Sequence, residues 1–357
     1  MIGVGDVAQR DYLPEIHRLG DRIRLVAVSS RNQDRARSVA DTFAAERWTT
    51  QWREVLAQDV DAVLNLTPIA VHADIARAAL EAGKHVYSEK PLALDVATGR
   101  ELAELAAARE LTVVAAPSIA LFPQVQAAAS LLATGRLGPV HCFRAHAYAG
   151  TPPWDGYDGD PHPFFADYGG PLRDMGVYPL HTITALFGPV TAVTAISRRT
   201  RDSFVPTDGP FAGRAVPVDS DDDWNLIVRT ASGASGPIQV NFCAREAAGP
   251  EFEIQGEQGT AALSLLDVAQ PLRVLAAGAE DWVDEPVPHE RAEGPDHLLG
   301  VQEFVQCIAS GAAPVLSAEH AIHVLDVLDT AEESSRTGRV AVPTTTFDWR
   351  PPRPTKG

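Results

Sequence analysis

The sequence is poor in cysteine and has no long apolar run. Its only cysteines are Cys142, Cys243 and Cys307, an odd set at wide spacing that fits neither a disulfide framework nor a zinc cluster. No apolar run approaches the roughly 20 residues that a membrane-spanning helix requires. A basic, apolar leader is also lacking, because the chain opens almost directly with "IGVGD". We therefore expect packing cysteines and a cytoplasmic location.

Positive charge is scarce as well. Lys and Arg total 30 against 47 Asp and Glu, which gives a formal net charge of −17 at pH 7. A surface of this sign repels the phosphates of nucleic acids and anionic lipid headgroups. No local basic patch interrupts it, so we expect neither nucleic acid nor a membrane as a partner.

The residues that are present divide the chain into two parts. From Gly3 to about Pro117, short β-rich runs alternate with helical stretches, the pattern of βαβ units that build a parallel sheet. The runs "RIRLVAVSS" and "VDAVLNLT" are nearly continuous in apolar residues, as strands covered on both faces are. The pattern predicts an α/β domain over residues 1–118.

Beyond Ser118 the strands become longer and alternate in character. "DDDWNLIVRT" and "GPIQVNFCARE" bracket a hairpin turn, and "FEIQGEQGTAALSLL" predicts another strand pair. Helical spacing in "RDMGVYPLHTITALFG" and "AEHAIHVLDVLDTAEESSRTG" predicts two helices. We expect a second α/β domain with a large, mostly antiparallel open sheet over residues 119–346, followed by a tail over 347–357.

The segment "GVGDVA" has the G-x-G-x-x-A form between a strand and a helix. Glycines in this position let the backbone approach a pyrophosphate, whose charge is met by the helix N-terminus. The residues expected to contact a dinucleotide here are Gly3, Gly5, Asp6, Val7 and Ala8. Only Met1 and Ile2 precede this turn, whereas a first strand normally takes about five residues. We therefore expect the true start to lie upstream of Met1.

The end of the next strand distinguishes the two nicotinamide cofactors. An acid there would bind the ribose hydroxyls of NAD, but the sequence has Ser29, Ser30 and Arg31. Hydroxyls and a guanidinium suit a 2′-phosphate, which favours NADP(H) over NAD(H). The alternative is that Arg31 is a solvated arginine at the start of the following helix.

Four segments together resemble one known family: "GVGDVA", "TPIAVH", "AGKHVYSEKPLA" and "DMGVYPLH". The combination is similar to the glucose-fructose oxidoreductase/inositol dehydrogenase family, called Gfo/Idh/MocA, over nearly the whole chain. The resemblance implies an N-terminal Rossmann domain with a doubly wound parallel sheet and a nicotinamide held between the domains. It also implies a C-terminal open sheet that often forms the oligomer interface, so we expect a homodimer or homotetramer.

The resemblance assigns Lys90 of the Glu-Lys-Pro signature as catalytic. It places Glu89 near the nicotinamide ribose and Pro91 after a cis peptide. An ammonium in a partly dry cleft can handle the hydroxyl proton and steady a developing alkoxide. The alternative is a surface lysine paired with Glu89. The loop residues Thr67, Pro68 and His72 also match as cofactor contacts, although Ile69 stands where the family frequently has asparagine.

In the second domain the family has an acid and a histidine four residues apart on a helix. This sequence has Asp174 and Tyr178 at those positions, and His181 follows. Residues four apart share a helical face, and those seven apart nearly do. We predict Tyr178 as a catalytic proton relay beside Lys90 and expect Asp174, His181 and Trp154 to bind substrate. His181 is equally well explained as a packing histidine.

These assignments predict an NAD(P)-dependent oxidoreductase that acts on a hydroxyl or carbonyl of a sugar, polyol or related cyclic alcohol. Two alternatives share the fold: a catalytically silent dinucleotide-binding sensor and an NAD-assisted glycosidase. "SDDDWN" lacks the glycine-turned loop of a calcium site, and the histidine spacing matches no zinc pattern. We expect no metal.

Overall fold

The computed structural model describes residues 1–148, 150–154, 157–245, 247–285, 287–291 and 293–350. The described residues form two compact units. Residues 1–118, 157–159 and 297–322 make up the N-terminal unit, and the C-terminal unit contains the rest. In the described part of the chain, every helix is too short or too polar to span a membrane.

The N-terminal unit begins with short strands separated by helices, as the sequence predicts. The strands are β1 (Ala27–Ser29), β2 (Arg47–Thr49), β3 (Ala62–Asn65), β4 (His85–Ser88) and β5 (Val113–Ala115). The helices are α1 (Gln33–Thr42), α2 (Arg53–Leu56), α3 (His72–Glu81) and α4 (Val96–Ala108). Short 3-10 or π-helical segments cover Ala8–Tyr12, Ile16–Arg22 and Ile69–Val71.

The strands pair in parallel around the first residues of the chain. β1 pairs with β2, and β3 pairs with β4, which pairs with β5. Ile2 forms parallel bridges to Ser29 and to Asn65, and so lies between β1 and β3. The chain continues from Ile2 first to one side of the sheet and later to the other. This reversal is the topological switch point at which doubly wound sheets bind ligands, beyond the carboxyl ends of their strands.

The C-terminal unit contains a larger sheet. Its helices are α5 (Pro123–Ala133), α6 (His162–Phe165), α7 (Gly170–Asp174) and α8 (Val177–Phe187). Its strands are β6 (Val140–Tyr148), β7 (Val190–Arg198), β8 (Ser203–Phe204), β9 (Val216–Pro217), β10 (Asp223–Thr230), β11 (Ser235–Asn241), β12 (Phe252–Gly256), β13 (Gly259–Leu263), β14 (Leu272–Ala276) and β15 (Val283–Glu285).

Eight of these strands form one open sheet in the order β15-β14-β13-β12-β6-β11-β10-β7. Neighbouring strands are antiparallel except β6 and β11, which are parallel. The predicted hairpins β10–β11 and β12–β13 are both present. Burial alternates along β10, where Leu226 is buried and Ile227 is exposed, and α7 and α8 pack against this strand. The predicted fold class is confirmed.

Two helices follow the sheet in the chain. They are α9 (Leu298–Ser310) and α10 (Ala318–Thr337). The sequence predicts the whole range 119–346 in the second domain, but residues 297–322 belong to the N-terminal unit. α9 packs on β4 and β5, and a Cβ on Gly300 would lie 2.8 Å from the Tyr87 hydroxyl. α9 thus belongs to the N-terminal unit because it packs closely on that sheet, although it follows the strands of the C-terminal unit in the chain.

The predicted C-terminal tail also differs from the structure in its first residues. The indole N–H of Trp349 donates to the carbonyl of Ala185 at 3.0 Å. A Cβ on Gly188 would lie 2.8 Å from the Trp349 ring. Trp349 is therefore packed against the end of α8, and residues 351–357 lie outside the described part of the chain.

Candidate active site

The glycine-rich turn follows Ile2 at the switch point. Gly3 has φ +86°, and a Cβ there would lie 2.7 Å from the carbonyl carbon and oxygen of Leu66. Only glycine fits, because both the conformation and the space exclude a side chain. A Cβ on Gly5, by contrast, would meet only a guanidinium nitrogen of Arg35 at 3.8 Å. The backbone at Gly5 therefore has the open approach that a pyrophosphate requires.

The chain turns into a helix directly after Gly5. The N–H of Gln9 donates to the carbonyl of Gly5 at 3.1 Å, so the N–H groups of Asp6, Val7 and Ala8 precede the first helical hydrogen bond. Backbone donors of this kind suit an anion. The Asp6 carboxylate accepts from the N–H of Gly159 at 2.8 Å and lies 3.9 Å from Arg35.

The residues after β1 differ in accessibility. Ser29 is buried, and the Ser30 hydroxyl accepts from the N–H of Asn32 at 3.3 Å. Arg31 is exposed at the end of the strand. Arg35, on the first turn of α1, directs its guanidinium toward Gly5. The sequence analysis missed Arg35, whose only signal is its place four residues after Arg31.

A buried asparagine organises the loop after β3. The Asn65 amide donates to the carbonyl of His72 at 3.0 Å and accepts from the Thr67 hydroxyl at 2.7 Å. His72 is also buried, and its ring nitrogens lie 2.8 Å from the Pro91 carbonyl and 2.6 Å from the Thr67 carbonyl. His72 thus contacts the backbone of two loops, whereas Pro68 is exposed. No motif marked Asn65.

The Glu-Lys-Pro signature lies directly after β4. The Lys90–Pro91 peptide is cis, as the resemblance implies. Glu89 is 8% exposed; one carboxylate oxygen accepts from the Tyr12 hydroxyl, and the other accepts from the N–H of Lys90 at 3.1 Å. Lys90 itself is half-buried. A partly exposed lysine thus follows a buried, hydrogen-bonded carboxylate.

Aromatic side chains surround the Glu89 carboxylate. The Tyr12 and Tyr87 hydroxyl oxygens are 3.2 Å apart, and the Tyr12 ring stacks on His297 with centroids 5.7 Å apart. Burial and the Glu89 charge raise the pKa of Tyr12 well above its usual value. Burial also lowers the pKa of His297, against the opposite effects of Asp11 and Glu89. Tyr12 and His297 were both missed by the sequence analysis.

The acid and the tyrosine of the C-terminal unit lie on separate helices. Asp174 is the last residue of α7. Tyr178 lies in the first turn of α8, and His181 lies about one turn further along the same helix. The prediction of one continuous helix is wrong, because α7 ends at Asp174 and α8 begins at Val177. The N–H groups of Met175 and Gly176 both donate to the Pro171 carbonyl, and the Leu172 carbonyl approaches Gly176 more closely than a side chain there would allow. Tyr178 and His181 are buried, and Asp174 is partly exposed.

Trp154 packs in an aromatic cluster of the C-terminal unit. Its ring makes edge contacts with Phe164 and Phe242 at centroid distances of 5.1 and 6.0 Å. Its indole N–H is buried and has no hydrogen-bond partner among the described residues. The short helix α6 lies between Trp154 and Asp174. Within the described ranges, no three His, Cys, Asp or Glu residues form a group that could hold a metal ion.

The parallel sheet, the glycine turn at its switch point and the buried signature loop define a dinucleotide-binding Rossmann unit of an oxidoreductase. The models for "Oxidoreductase family, NAD-binding Rossmann fold" and "GFO/IDH/MocA C-terminal domain" match residues 1–116 and 125–262. The chain belongs to the Gfo/Idh/MocA family. It is therefore an enzyme of the oxidoreductase class that binds a nicotinamide dinucleotide.

Similar proteins cover nearly the whole chain. The dTDP-3,4-didehydro-2,6-dideoxy-alpha-D-glucose 3-reductase of Actinomadura kijaniata is 29% identical, over 90% of this chain and 88% of that protein. D-xylose 1-dehydrogenase (NADP(+)) 2 of Haloferax volcanii is 25% identical, over 95% and 97%. The structure of levoglucosan dehydrogenase with NADH and levoglucosan has a TM-score of 0.81 at 22% identity, covering 96% and 98%, and shows the same fold.

Proposed function

We propose that this enzyme transfers a hydride between NADP(H) and a hydroxyl or carbonyl carbon of a sugar, polyol or related cyclic alcohol. The observation that carries the proposal is the half-buried Lys90, whose neighbour Glu89 is a hydrogen-bonded, buried carboxylate at the carboxyl end of β4. The names of the relatives support the substrate class, since the two curated relatives act on a nucleotide-linked deoxysugar and on xylose.

We assign to Lys90 the transfer of the proton on the substrate hydroxyl. When bound, the nicotinamide supplies the hydride chemistry, and the protein must supply a group that gives or takes a proton at the substrate oxygen. A lysine ammonium also stabilises the negative charge that develops on that oxygen. Glu89 orients the main chain of Lys90 through the hydrogen bond to its N–H.

The C-terminal unit supplies the proposed substrate groups. Tyr178 is assigned as a second proton-transfer group, because a buried phenol next to a reacting hydroxyl can relay its proton. Asp174 and His181 are assigned to other hydroxyls of the substrate. Trp154 offers a ring face, and its indole N–H lacks a partner among the described residues. Rings and convergent polar groups are typical of small-molecule sites.

NADP(H) is preferred in this proposal because two guanidinium groups follow β1. Arg31 is exposed, and Arg35 lies 3.8 Å from where a Gly5 side chain would be. Neither Ser29 nor Ser30 offers the carboxylate that would bind ribose hydroxyls. Guanidinium groups bind phosphate oxygens with two hydrogen bonds, so this pair suits a 2′-phosphate.

The first test is the variant Lys90→Met. Turnover should fall by roughly 10²–10⁴-fold, as expected for a lost acid-base group, while NADPH binding stays nearly intact. Steady-state rates on a panel of polyols and keto-sugars, with a fluorescence titration of NADPH, measure both quantities. Lys84→Met is the matched control, because Lys84 is also half-buried and lies at the opposite end of β4 from Lys90. Tyr178→Phe should also lower turnover without weakening NADPH binding.

The alternatives give different results in the same assays. Wild-type turnover by Lys90→Met would refute the assigned role of Lys90. Binding of NADPH without turnover on any carbonyl substrate would favour a sensor. Product release without net change of the cofactor would favour a glycosidase. Net NADPH consumption with a ketone or aldehyde is the outcome that the proposal requires.

A further inference from the structure

Both sequence neighbours of Lys90 are held by buried side chains from other elements of the N-terminal unit. On one side, the Glu89 carboxylate accepts from the Tyr12 hydroxyl and from the N–H of Lys90. On the other side, the Pro91 carbonyl lies 2.8 Å from Nδ1 of His72. The main chain of Lys90 is therefore fixed at two adjacent points, one through Tyr12 and one through His72.

Tyr12 comes from the helical segment that follows the glycine-rich turn. It is 1% exposed, its ring stacks on His297, and its edge meets Tyr87. Burial and the Glu89 charge raise the pKa of Tyr12, so the phenol stays protonated and donates to the carboxylate. A buried carboxylate is costly unless it is hydrogen-bonded. Tyr12 supplies the side-chain donor that Glu89 needs.

His72 begins α3, directly after the loop that contains Thr67. Its two ring nitrogens face two carbonyl oxygens, of Pro91 at 2.8 Å and of Thr67 at 2.6 Å. Burial lowers the pKa of His72, while these two carbonyls and Glu89 act in the opposite direction and Lys90 adds to the lowering. The His72 ring therefore links the Glu-Lys-Pro loop to the Thr67 loop. Both contacts are to main-chain carbonyls.

We propose that Tyr12 and His72 are positioning residues that set the orientation of Lys90. The inference rests on the proposed role of Lys90. It adds that the glycine-turn helix and the Thr67 loop, both expected to contact the dinucleotide, are also the sources of the groups that fix the catalytic amine. Supporting contacts of this kind hold a reactive group within the narrow range of geometry that efficient catalysis demands.

The variant Tyr12→Phe removes one hydroxyl and keeps the ring that packs on His297 and Tyr87. We expect kcat to fall by about tenfold, because a misplaced acid-base group loses rate even when it is still present. The Kd for NADPH should change less than kcat, since Tyr12 itself is not among the residues assigned to the cofactor. Thr330→Val is the control, as it removes another buried hydroxyl, which donates to the Asp326 carbonyl of α10.

A double-mutant cycle separates positioning from general destabilisation. If Tyr12 acts through Lys90, then Tyr12→Phe should lower the single-turnover rate in the wild type but not in the Lys90→Met background. A purely structural role would lower the rate by the same factor in both backgrounds. Equal factors, or a wild-type kcat in Tyr12→Phe, would overturn the inference.

His72→Phe repeats the cycle from the other side of Lys90. It removes both nitrogens and keeps a ring of similar shape, so the same non-additive result is expected. Should this variant fail to fold, the Tyr12 cycle decides alone. A Lys90→Met enzyme with undiminished turnover would instead reject the role that the proposed function gives to Lys90, so the two failures are distinguishable.

Discussion

In the N-terminal unit the candidate site residues lie at the carboxyl ends of strands. The conformation and close packing of the main chain there limit which amino acid can occupy each position. Gly3 has no room for a Cβ, and Glu89 is held by donors on both oxygens. In the C-terminal unit Tyr178 and His181 lie on α8, a helix whose backbone makes no such demand. The candidate residues of the N-terminal unit are therefore constrained by backbone geometry, whereas those of the C-terminal unit are constrained only by the chemistry of their side chains.

This difference explains why the candidate residues of the N-terminal unit keep their motifs, whereas the family's acid-and-histidine pair is changed to Asp174 and Tyr178 in the C-terminal unit. A strand-to-helix turn at a switch point needs particular glycines to bring a backbone close to a pyrophosphate, so its sequence is constrained. A helix that presents side chains to a substrate can change them freely and keep its fold. Three predictions test the comparison, beginning with the largest expected effect.

The variant Gly3→Ala should cost about 4 kcal/mol of unfolding free energy, because it combines a left-handed φ with overlap against backbone atoms. The Cβ would lie 2.7 Å from the carbonyl carbon and oxygen of Leu66, neither of which can move away as a side chain would. Chemical denaturation followed by circular dichroism measures the loss.

Gly5→Ala is the matched control in the same turn. Its Cβ meets only Arg35, at 3.8 Å, so the free energy of unfolding should change by less than about 1 kcal/mol. NADPH binding should nevertheless weaken, because the methyl group would occupy the approach of the pyrophosphate. Equal stability losses in the two variants would show that the turn does not discriminate between its glycines.

Sequence reasoning recovered the parts of the molecule that repeat a local rule. The parallel and open sheets follow from apolar periodicity, and the glycine turn and the cis Lys90–Pro91 peptide follow from family motifs. It missed Tyr12 and Asn65, because their roles depend on partners distant in the chain. It also joined α7 and α8 into one helix, since the spacing of apolar residues does not reveal the interruption at Met175 and Gly176.

The second prediction concerns a buried histidine of the C-terminal unit. Nε2 of His323 accepts from the N–H of Val190 at 2.9 Å, so it must be unprotonated, while Nδ1 lies 3.1 Å from the Thr345 carbonyl. Burial lowers the pKa of His323 from 6.5 to about 4, against a smaller effect of Asp326. The unfolded chain therefore takes up this proton at a higher pH than the folded protein does.

The unfolding free energy should consequently be constant above pH 6.5 and fall as the pH drops toward 4, by up to about 3 kcal/mol from this residue. His323→Gln should be less stable at pH 7 but show a flatter dependence in that window. His141→Gln is the control for removing a histidine side chain that is exposed rather than buried. An unchanged slope in His323→Gln would show that the buried polar groups of this unit do not set its acid stability.

The third prediction has the smallest expected effect. It tests whether the residues after β1 determine the choice between NADPH and NADH. Arg31→Ala should weaken NADPH binding by about tenfold, or about 1.4 kcal/mol, because it removes an exposed guanidinium from the 2′-phosphate. NADH binding should be unchanged, since NADH lacks that phosphate. Arg24→Ala removes the same charge from an exposed arginine paired with Glu46 and should affect neither cofactor. Equal losses for NADPH and NADH would mean that Arg31 acts on a part that the two cofactors share. No loss for either would mean that Arg31 serves only the surface, and the phosphate preference would then depend on Arg35, whose guanidinium already faces Gly5.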